Sequence, residues 1–146
     1  MTKQSIWITP LDLEDINLRA QNTLSDHLGI KFIEVGENYL TASMPVDSRT
    51  VQPMGILHGG ASCALAETVG SAAANYCIDQ NLAVCVGLDI NCNHIRPVHS
   101  GTVIAVAKPF HLGKITQVWG IKIFNEQKKL ICISRLTMAV QKKTQA

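Results

Sequence analysis

Charge of either sign is scarce in this sequence. Thirteen Lys and Arg against eleven Asp and Glu leave a net charge of +2 over 146 residues. That offers no electrostatic footprint for nucleic acid, and the basic residues are dispersed, with Lys128-Lys129 and Lys142-Lys143 the densest pairs. There is no GxGxxG and no alternation of strand and helix patterns, which disfavours a doubly wound nucleotide-binding fold. There is no GxSxG elbow, and Ser62 and Ser71 have no evident His-and-acid pair, so a serine nucleophile is not expected. HExxH and CxxC are both missing, and His94 and His99 alone do not make a metal site, so no metal is expected. The cysteines Cys63, Cys77, Cys85, Cys92 and Cys132 are odd in number, and several occupy apolar positions. They read as free thiols with a packing role, in a reducing compartment. None sits in an evidently electropositive setting, so inert packing is expected of them. The N-terminal stretch MTKQSIWITPLDLEDIN lacks an unbroken apolar core and gains acids early, unlike a signal peptide. A cytoplasmic protein is the expectation.

What the chain does have is one long stretch of small residues, QPMGILHGGASCALAETVGSAAANY, from Gln52 to Tyr76. It begins as a Pro- and Gly-containing loop, turns at His58-Gly59-Gly60, and continues in Ala, Ser, Cys, Leu, Val and Gly. Between Arg49 and Asp79 the only formal charge is Glu67. The stretch approaches the length of a membrane span, about 20 apolar residues. Its Ala, Ser and Gly content and its central acid argue against insertion. A core helix clasped by a sheet fits better. An unpaired acid in such surroundings is costly, so Glu67 is either a structural acid with a hidden partner or a working acid in a cleft.

The rest of the chain reads as strands, with one helical segment in front. Thr9-Pro10, followed by Leu11, Asp12 and Glu14, predicts a helix start, and Leu11, Ile16, Leu18, Leu24 and Leu28 form an imperfect stripe over one or two helices up to Gly29. Strands are expected at 30–34 and 39–46, around a turn at Gly36-Glu37-Asn38, with Pro45 at an edge or a strand end. The long helix is expected at 60–79. Beyond it the period becomes two, with strands at 84–94, 102–112, 115–124 and 130–140. In the first of these, Val84, Val86, Leu88, Ile90 and Cys92 are expected on the buried face. Residues 142–146 read as a disordered tail. The fold class is α+β: one domain, residues 1–146, with an antiparallel sheet curled around one long helix.

A helix N-terminus offers unsatisfied N–H groups and partial positive charge, and glycines there let a substrate approach the backbone. The His58-Gly59-Gly60 turn therefore suits a carbonyl that becomes tetrahedral. Glu67, two turns on, could activate water or attack the carbonyl itself. Ser71 shares its helix face and could orient water. A packing Gly pair and a Ser bonded to its own helix are the plain alternatives.

The segments DSRTVQPMGILHGGASCALAETVGS, VGLDINCNHIRPVHSG and PFHLGKITQVWGIKIFNEQKKLICISRLT resemble the hotdog-fold acyl-CoA thioesterases, and within them the branch that hydrolyses 1,4-dihydroxy-2-naphthoyl-CoA in menaquinone biosynthesis. The likeness runs from about Gly29 to Val140, and the segment before Gly29 matches nothing usable. It implies Glu67 as catalytic carboxylate, the Gly59 amide as the group polarising the thioester carbonyl, Gln52 and His58 at the reacting centre, and Ser71 in support. It implies a site shared between two subunits, hence a homodimer or homotetramer. For the coenzyme A part of the substrate it implies Gly87, His94, Ile95, Arg96, Pro97, His111, Leu112, Gly113, Lys114, Ile115 and Thr116. Arg96 and Lys114 are apt for phosphates. No separate cofactor is implied. Met54 stands where relatives commonly carry an aromatic residue, which bears on the shape of the acyl pocket. A hotdog dehydratase or hydratase and a non-catalytic acyl-CoA-binding module share much of this pattern.

Overall fold

The computed structural model describes residues 5–144. Two short helices, α1 (Leu13–Arg19) and α2 (Leu24–His27), precede strands β1 (Lys31–Val35) and β2 (Leu40–Pro45). The long helix α3 (Gly59–Tyr76) follows, and then β3 (Ala83–His94), β4 (Thr102–Leu112), β5 (Thr116–Asn125) and β6 (Leu130–Lys142). All six strands form one antiparallel sheet in the order β1-β2-β4-β5-β6-β3. Helix α3 crosses the inner face against β2 through β6. This is the layout the hotdog resemblance implies.

Small residues let α3 lie close to the sheet. A Cβ on Gly70 would stand 2.7 Å from Leu136 Cδ2, so only glycine fits there without a shift. Leu65, Ala66, Val69 and Ala73 are fully buried against a floor that includes Trp119, Ile121, Ile123, Leu136 and Met138. One polar pair sits inside this core. Trp119 Nε1 donates to Gln117 Oε1 at 2.9 Å, and Gln117 Nε2 donates to the Ala74 carbonyl at 3.4 Å. Each buried polar atom of that pair thereby finds a partner.

The helix ends at Tyr76, earlier than Asp79, because the N-terminal segment occupies its end. The amides of Ile8 and Thr9 both donate to the Tyr76 carbonyl, at 2.9 and 3.1 Å, and Thr9 Oγ1 donates to the Ile78 carbonyl at 2.8 Å. Thr9-Pro10 therefore closes α3 and does not start a helix. The N-cap of α1 is Asp12, which accepts from the Asp15 amide at 2.9 Å. Of the predicted stripe, Ile16 and Leu28 are buried, whereas Leu18 and Leu24 face solvent. Gly29 ends the segment at φ +71°, a conformation that favours glycine. Pro45 is the last residue of β2, and that strand is flanked on both sides, so the strand-end reading holds. At the other terminus Lys142 closes β6, and Lys143 is tied by its amide to the Leu82 carbonyl at 2.9 Å. The predicted disordered tail is thus corrected for 142–143, and 145–146 lie outside the described residues.

The largest correction concerns β3. Its register against β6 shifts between Gly87 and Asp89, leaving Leu88 as an extra residue. A bulge of this kind inverts side-chain parity beyond it. Before it, Cys85 is buried and Val84, Val86 and Leu88 are exposed. After it, Ile90 and Cys92 turn partly inward. The expected continuous apolar face is thus split between two faces. β3 is also an edge strand, pairing only with β6, so a long run of backbone donors and acceptors is open on its other side.

Asn75 pins α3 to that edge. Its Oδ1 accepts from the Cys85 amide at 2.8 Å and its Nδ2 donates to the Cys85 carbonyl at 3.1 Å. Asn75→Ala would leave the buried Cys85 amide without a partner, and such groups cost about 1–3 kcal/mol. Urea unfolding should show a loss of that size, with Asn75→Asp recovering part of it through the retained acceptor. A loss below about 0.5 kcal/mol, the range of neutral surface changes, would mean the pin is dispensable.

Candidate active site

The loop before α3 fixes where the helix begins. Thr50, almost fully buried, donates from Oγ1 to the Pro45 carbonyl at 2.8 Å and accepts from the Asp47 amide at 3.1 Å. Arg49 Nη2 binds Asp47 Oδ2 at 2.7 Å, and this guanidinium holds the Asp47 carboxyl down at about 2. The His58 amide donates to the Thr50 carbonyl at 2.8 Å, and the Leu57 amide to Val98 at 2.7 Å. With the loop tied at these points, the first turn of α3 is presented at a set angle.

His58 is the N-cap, and its ring does the capping. Nδ1 accepts from the Gly60 amide at 2.8 Å, so that nitrogen carries a lone pair and the ring proton sits on Nε2. The amides of Ala61 and Ser62 donate to the His58 carbonyl at 3.0 and 3.2 Å. Among the first four amides of α3, only that of Gly59 has no acceptor among the described residues. Gly59 lines a cavity of about 310 Å³ with Gln52, Ser62, His94, Ile95, Arg96 and Pro97, among others. A Cβ at 59 would stand 2.7 Å from His94 Nε2, so any larger residue would have to displace that ring. Gln52 Oε1 accepts from the Met54 amide, which leaves its Nε2 free as a donor. Arg96 rests its Nη1 on the Leu130 carbonyl at 2.6 Å and forms part of the cavity wall.

From Gly59 onward α3 runs antiparallel to β3, and the contacts follow the helical repeat. Gly59 meets His94, Cys63 meets Cys92, Glu67 meets Gly87, and Asn75 meets Cys85. A Cβ on Gly87 would stand 2.5 Å from Glu67 Oε1. Glu67 is half-buried, and among the described residues it makes no ion pair and no hydrogen bond. The hidden-partner reading of this acid therefore finds no partner. Ser71, one turn on, is also half-buried, and its hydroxyl makes no hydrogen bond among the described residues, so it is not bonded back to its helix.

The predicted residues are not all brought together within one chain. Gln52, Gly59 and His94 to Pro97 share one cavity. His58 lines a different one of about 270 Å³ with Leu24, Leu28, Arg49, Ala61 and Ala64. Gly59 and Glu67 are eight residues apart, about 12 Å along the helix axis. The segment from His111 to Thr116 spans the end of β4, the turn and the start of β5, next to Val140, which pairs with Cys85. His94 pairs with Cys132, so the two coenzyme-A segments stand at opposite ends of β3, about 25 Å apart by the strand rise. A larger cavity of about 510 Å³ lies on the helix-free face, lined by Phe110, Phe124, Ile133, Lys108, Lys122 and Arg135, among others, away from Glu67.

The thiols hold one departure from expectation. Cys77 and Cys85 are pushed up by burial, to about 12 and about 11, as inert core thiols should be. Cys92 is instead held well below the ordinary thiol range. The neighbouring Cys132 thiol is the largest cause, and Cys63, Ser134 and His94 add to the effect against the opposing pull of burial. Its Sγ lies 3.5 Å from Ser134 Oγ. The spacing from Cys63 to Glu67 was a visible signal for half of this cluster. The other half depends on the bulge at Leu88. Leu24 and Leu28, read in the sequence only as part of a helical stripe, also line the cavity at His58, which depends on where α2 packs against α3.

Comparison with known proteins agrees with this architecture. The profile of the thioesterase superfamily matches residues 54–132, more than half of the chain. A Vibrio cholerae esterase candidate is 54% identical over 138 residues, 94% of this chain and 91% of that one. The 1,4-dihydroxy-2-naphthoyl-CoA hydrolase of Escherichia coli is 48% identical over 135 residues, covering 92% and 98%. A mutant thioesterase of Pseudomonas aeruginosa, solved by crystallography, superposes with a TM-score of 0.94 at 50% identity, covering 95% of this chain and 100% of that one. No helix among the described residues is long and apolar enough to cross a membrane. With the sheet, the clasped helix and these relatives in agreement, the chain belongs to the thioesterase superfamily and is a thioester-hydrolysing enzyme of the hotdog fold.

Proposed function

We propose that the protein hydrolyses an aromatic acyl-CoA, with 1,4-dihydroxy-2-naphthoyl-CoA of menaquinone biosynthesis as its substrate. The observation that carries this reading is the Gly59 amide. It is the one donor of the first helical turn without an acceptor among the described residues, and Gly59 lines a cavity together with Gln52. A thioester oxygen seated there accepts that hydrogen bond, and the helix dipole favours the negative charge that develops on it. The identity to the Escherichia coli naphthoyl-CoA hydrolase supports the choice of acyl group.

Glu67 supplies the attack. Its carboxylate either adds to the carbonyl carbon, expelling coenzyme A thiolate and leaving an anhydride that water opens, or it takes a proton from water that adds directly. Ser71 lies one turn away and positions the water. The separation of Gly59 from Glu67 along one helix is too long for one carbonyl to meet both with ease. We therefore infer a site completed by a second copy of the chain, with Glu67 of the partner subunit facing Gly59 and Gln52 of the first. The open edge of β3, with Val84, Val86 and Leu88 exposed, fits strand-to-strand pairing of two such copies. The same pairing gives Arg96 and Lys114 of different subunits a route to one coenzyme A.

Release of thiol across a panel of aromatic and aliphatic CoA esters tests the assignment. Preferred turnover of the naphthoyl ester is expected. Hydration of an enoyl thioester in place of thiol release would make the protein a hydratase, and tight binding without release would make it an acyl-CoA carrier. Replacing Arg96 and Lys114 together with Ala should raise KM for CoA thioesters about tenfold, the effect of roughly one charge-assisted hydrogen bond. Thioesters on a truncated, phosphate-free carrier should change little. Equal effects on both substrates would remove the phosphate contacts.

A further inference from the structure

The thioesterase reaction makes no use of three free thiols that meet beside its acid. Cys63 lies on α3 one turn after Gly59 and one turn before Glu67, so it shares their face. Cys92 lies on β3, opposite Ser134 and two residues before His94, and Cys132 pairs with His94 on β6. The close approaches of Gly59 to His94 and of Gly87 to Glu67 bracket Cys63 and Cys92 on their facing elements, and each thiol shifts the titration of the other. Cys63 and Cys92 are half-buried and within reach of a small solute, whereas Cys132 is buried.

We propose that Cys92 and Cys63 form a disulfide under hydroperoxide, fastening α3 to β3 beside Glu67 and switching off thioester hydrolysis. The surroundings of Cys92 favour its thiolate, the form that attacks peroxide, while Cys63 is pushed up to about 12, burial being the larger cause and Cys92 the next. In the first step the Cys92 thiolate attacks the peroxide O–O bond, gaining one oxygen as a sulfenic acid, and the other oxygen leaves as water after taking up protons. In the second, Cys63 sulfur attacks the sulfenic sulfur, the S–O bond breaks, and the Cys63 proton leaves with that oxygen as a second water. Two thiols and one peroxide thus become one disulfide and two waters. The S–S bond, about 2.05 Å, is shorter than any hydrogen bond between thiols, so closure draws helix and strand together. Helix and strand already lie close on either side of Cys63, where a Cβ at Gly59 would stand 2.7 Å from His94 Nε2 and one at Gly87 2.5 Å from Glu67 Oε1. A movement at Cys63 is therefore passed to Gly59 one turn before it and to Glu67 one turn after it.

The consequence for activity rests on the proposed thioesterase site, but the bridge does not. Reduced enzyme is treated with hydrogen peroxide, alkylated, digested and mapped by mass spectrometry, with thiol release measured in parallel. A Cys63–Cys92 peptide short of two hydrogens is expected, with activity falling about 10²-fold, the scale of an ångström-sized misplacement, and returning with dithiothreitol. Cys63→Ser, and Cys63→Ala as a second variant, should keep basal activity and lose the reversible inactivation. A Cys92–Cys132 bridge, over-oxidised Cys92 without a bridge, or equal inactivation in the Cys63 variants would overturn the proposal. If no thioester proved to be a substrate, the peptide map alone would still decide the pairing.

Discussion

Glu67→Gln is expected to lower kcat for thioester hydrolysis about 10³-fold, within the range attributed to a positioned acid or base, while substrate affinity changes little. The carboxylate is half-buried on α3, has no cation or donor among the described residues, and faces a glycine on the neighbouring strand. A structural acid would be expected to have a partner, and its removal would appear in stability. Here the amide is isosteric and no pair is broken, so unfolding free energy should shift by less than about 0.5 kcal/mol, as for changes that touch no special feature. The measurements are single-turnover thiol release, binding of a non-hydrolysable thioether analogue, and urea unfolding on the same preparation. Turnover within a few-fold of the parent would remove Glu67 from the mechanism. Retained affinity with lost turnover is the signature of a group that acts at the transition state.

The second large effect concerns a residue with no chemistry of its own. Gly87→Ala should cost about 10²-fold in kcat, the penalty of misplacing a reacting group by roughly 1 Å. The new Cβ would stand 2.5 Å from Glu67 Oε1 and 3.7 Å from its Cδ, so the carboxylate has to swing away. Gly87 does not have a positive φ, so the strand accepts alanine without backbone strain. Alanine also restricts the unfolded chain, which should leave stability unchanged or raise it by about 0.5–1 kcal/mol. Lost activity beside intact stability separates displacement of the acid from damage to the fold. If Gly87→Ala only moves Glu67, the double variant with Glu67→Gln should be no slower than Glu67→Gln alone. An additive loss would give Gly87 a separate role, as backbone contact for coenzyme A.

Much of the fold was legible because its signals are local. The small-residue run fitted a clasped helix better than a membrane span, the period change beyond it marked strands, and Gly29 and Pro45 stopped elements where their backbone limits require. Glu67 stood out because no other charge lies between Arg49 and Asp79. The N-terminal cap was misplaced because Thr9 finds its partner at Ile78, far along the chain. The buried face of β3 was misread because the bulge at Leu88 is imposed by pairing with β6 and carries no turn residue of its own.

The amino-acid sequence alone was enough for an α+β thioesterase domain with one lone acid on a long helix and a glycine turn at its start, since helix and strand periods, breakers and motif spacing depend on neighbours along the chain. Only the tertiary structure decided that, in the first turn of α3, the Gly59 amide alone lacks an acceptor among the described residues, that Gly87 faces Glu67, that the coenzyme-A segments stand at opposite ends of β3, and that three thiols converge. Those outcomes depend on strand order, register and the parity beyond a bulge, which are fixed by contacts between residues distant in sequence.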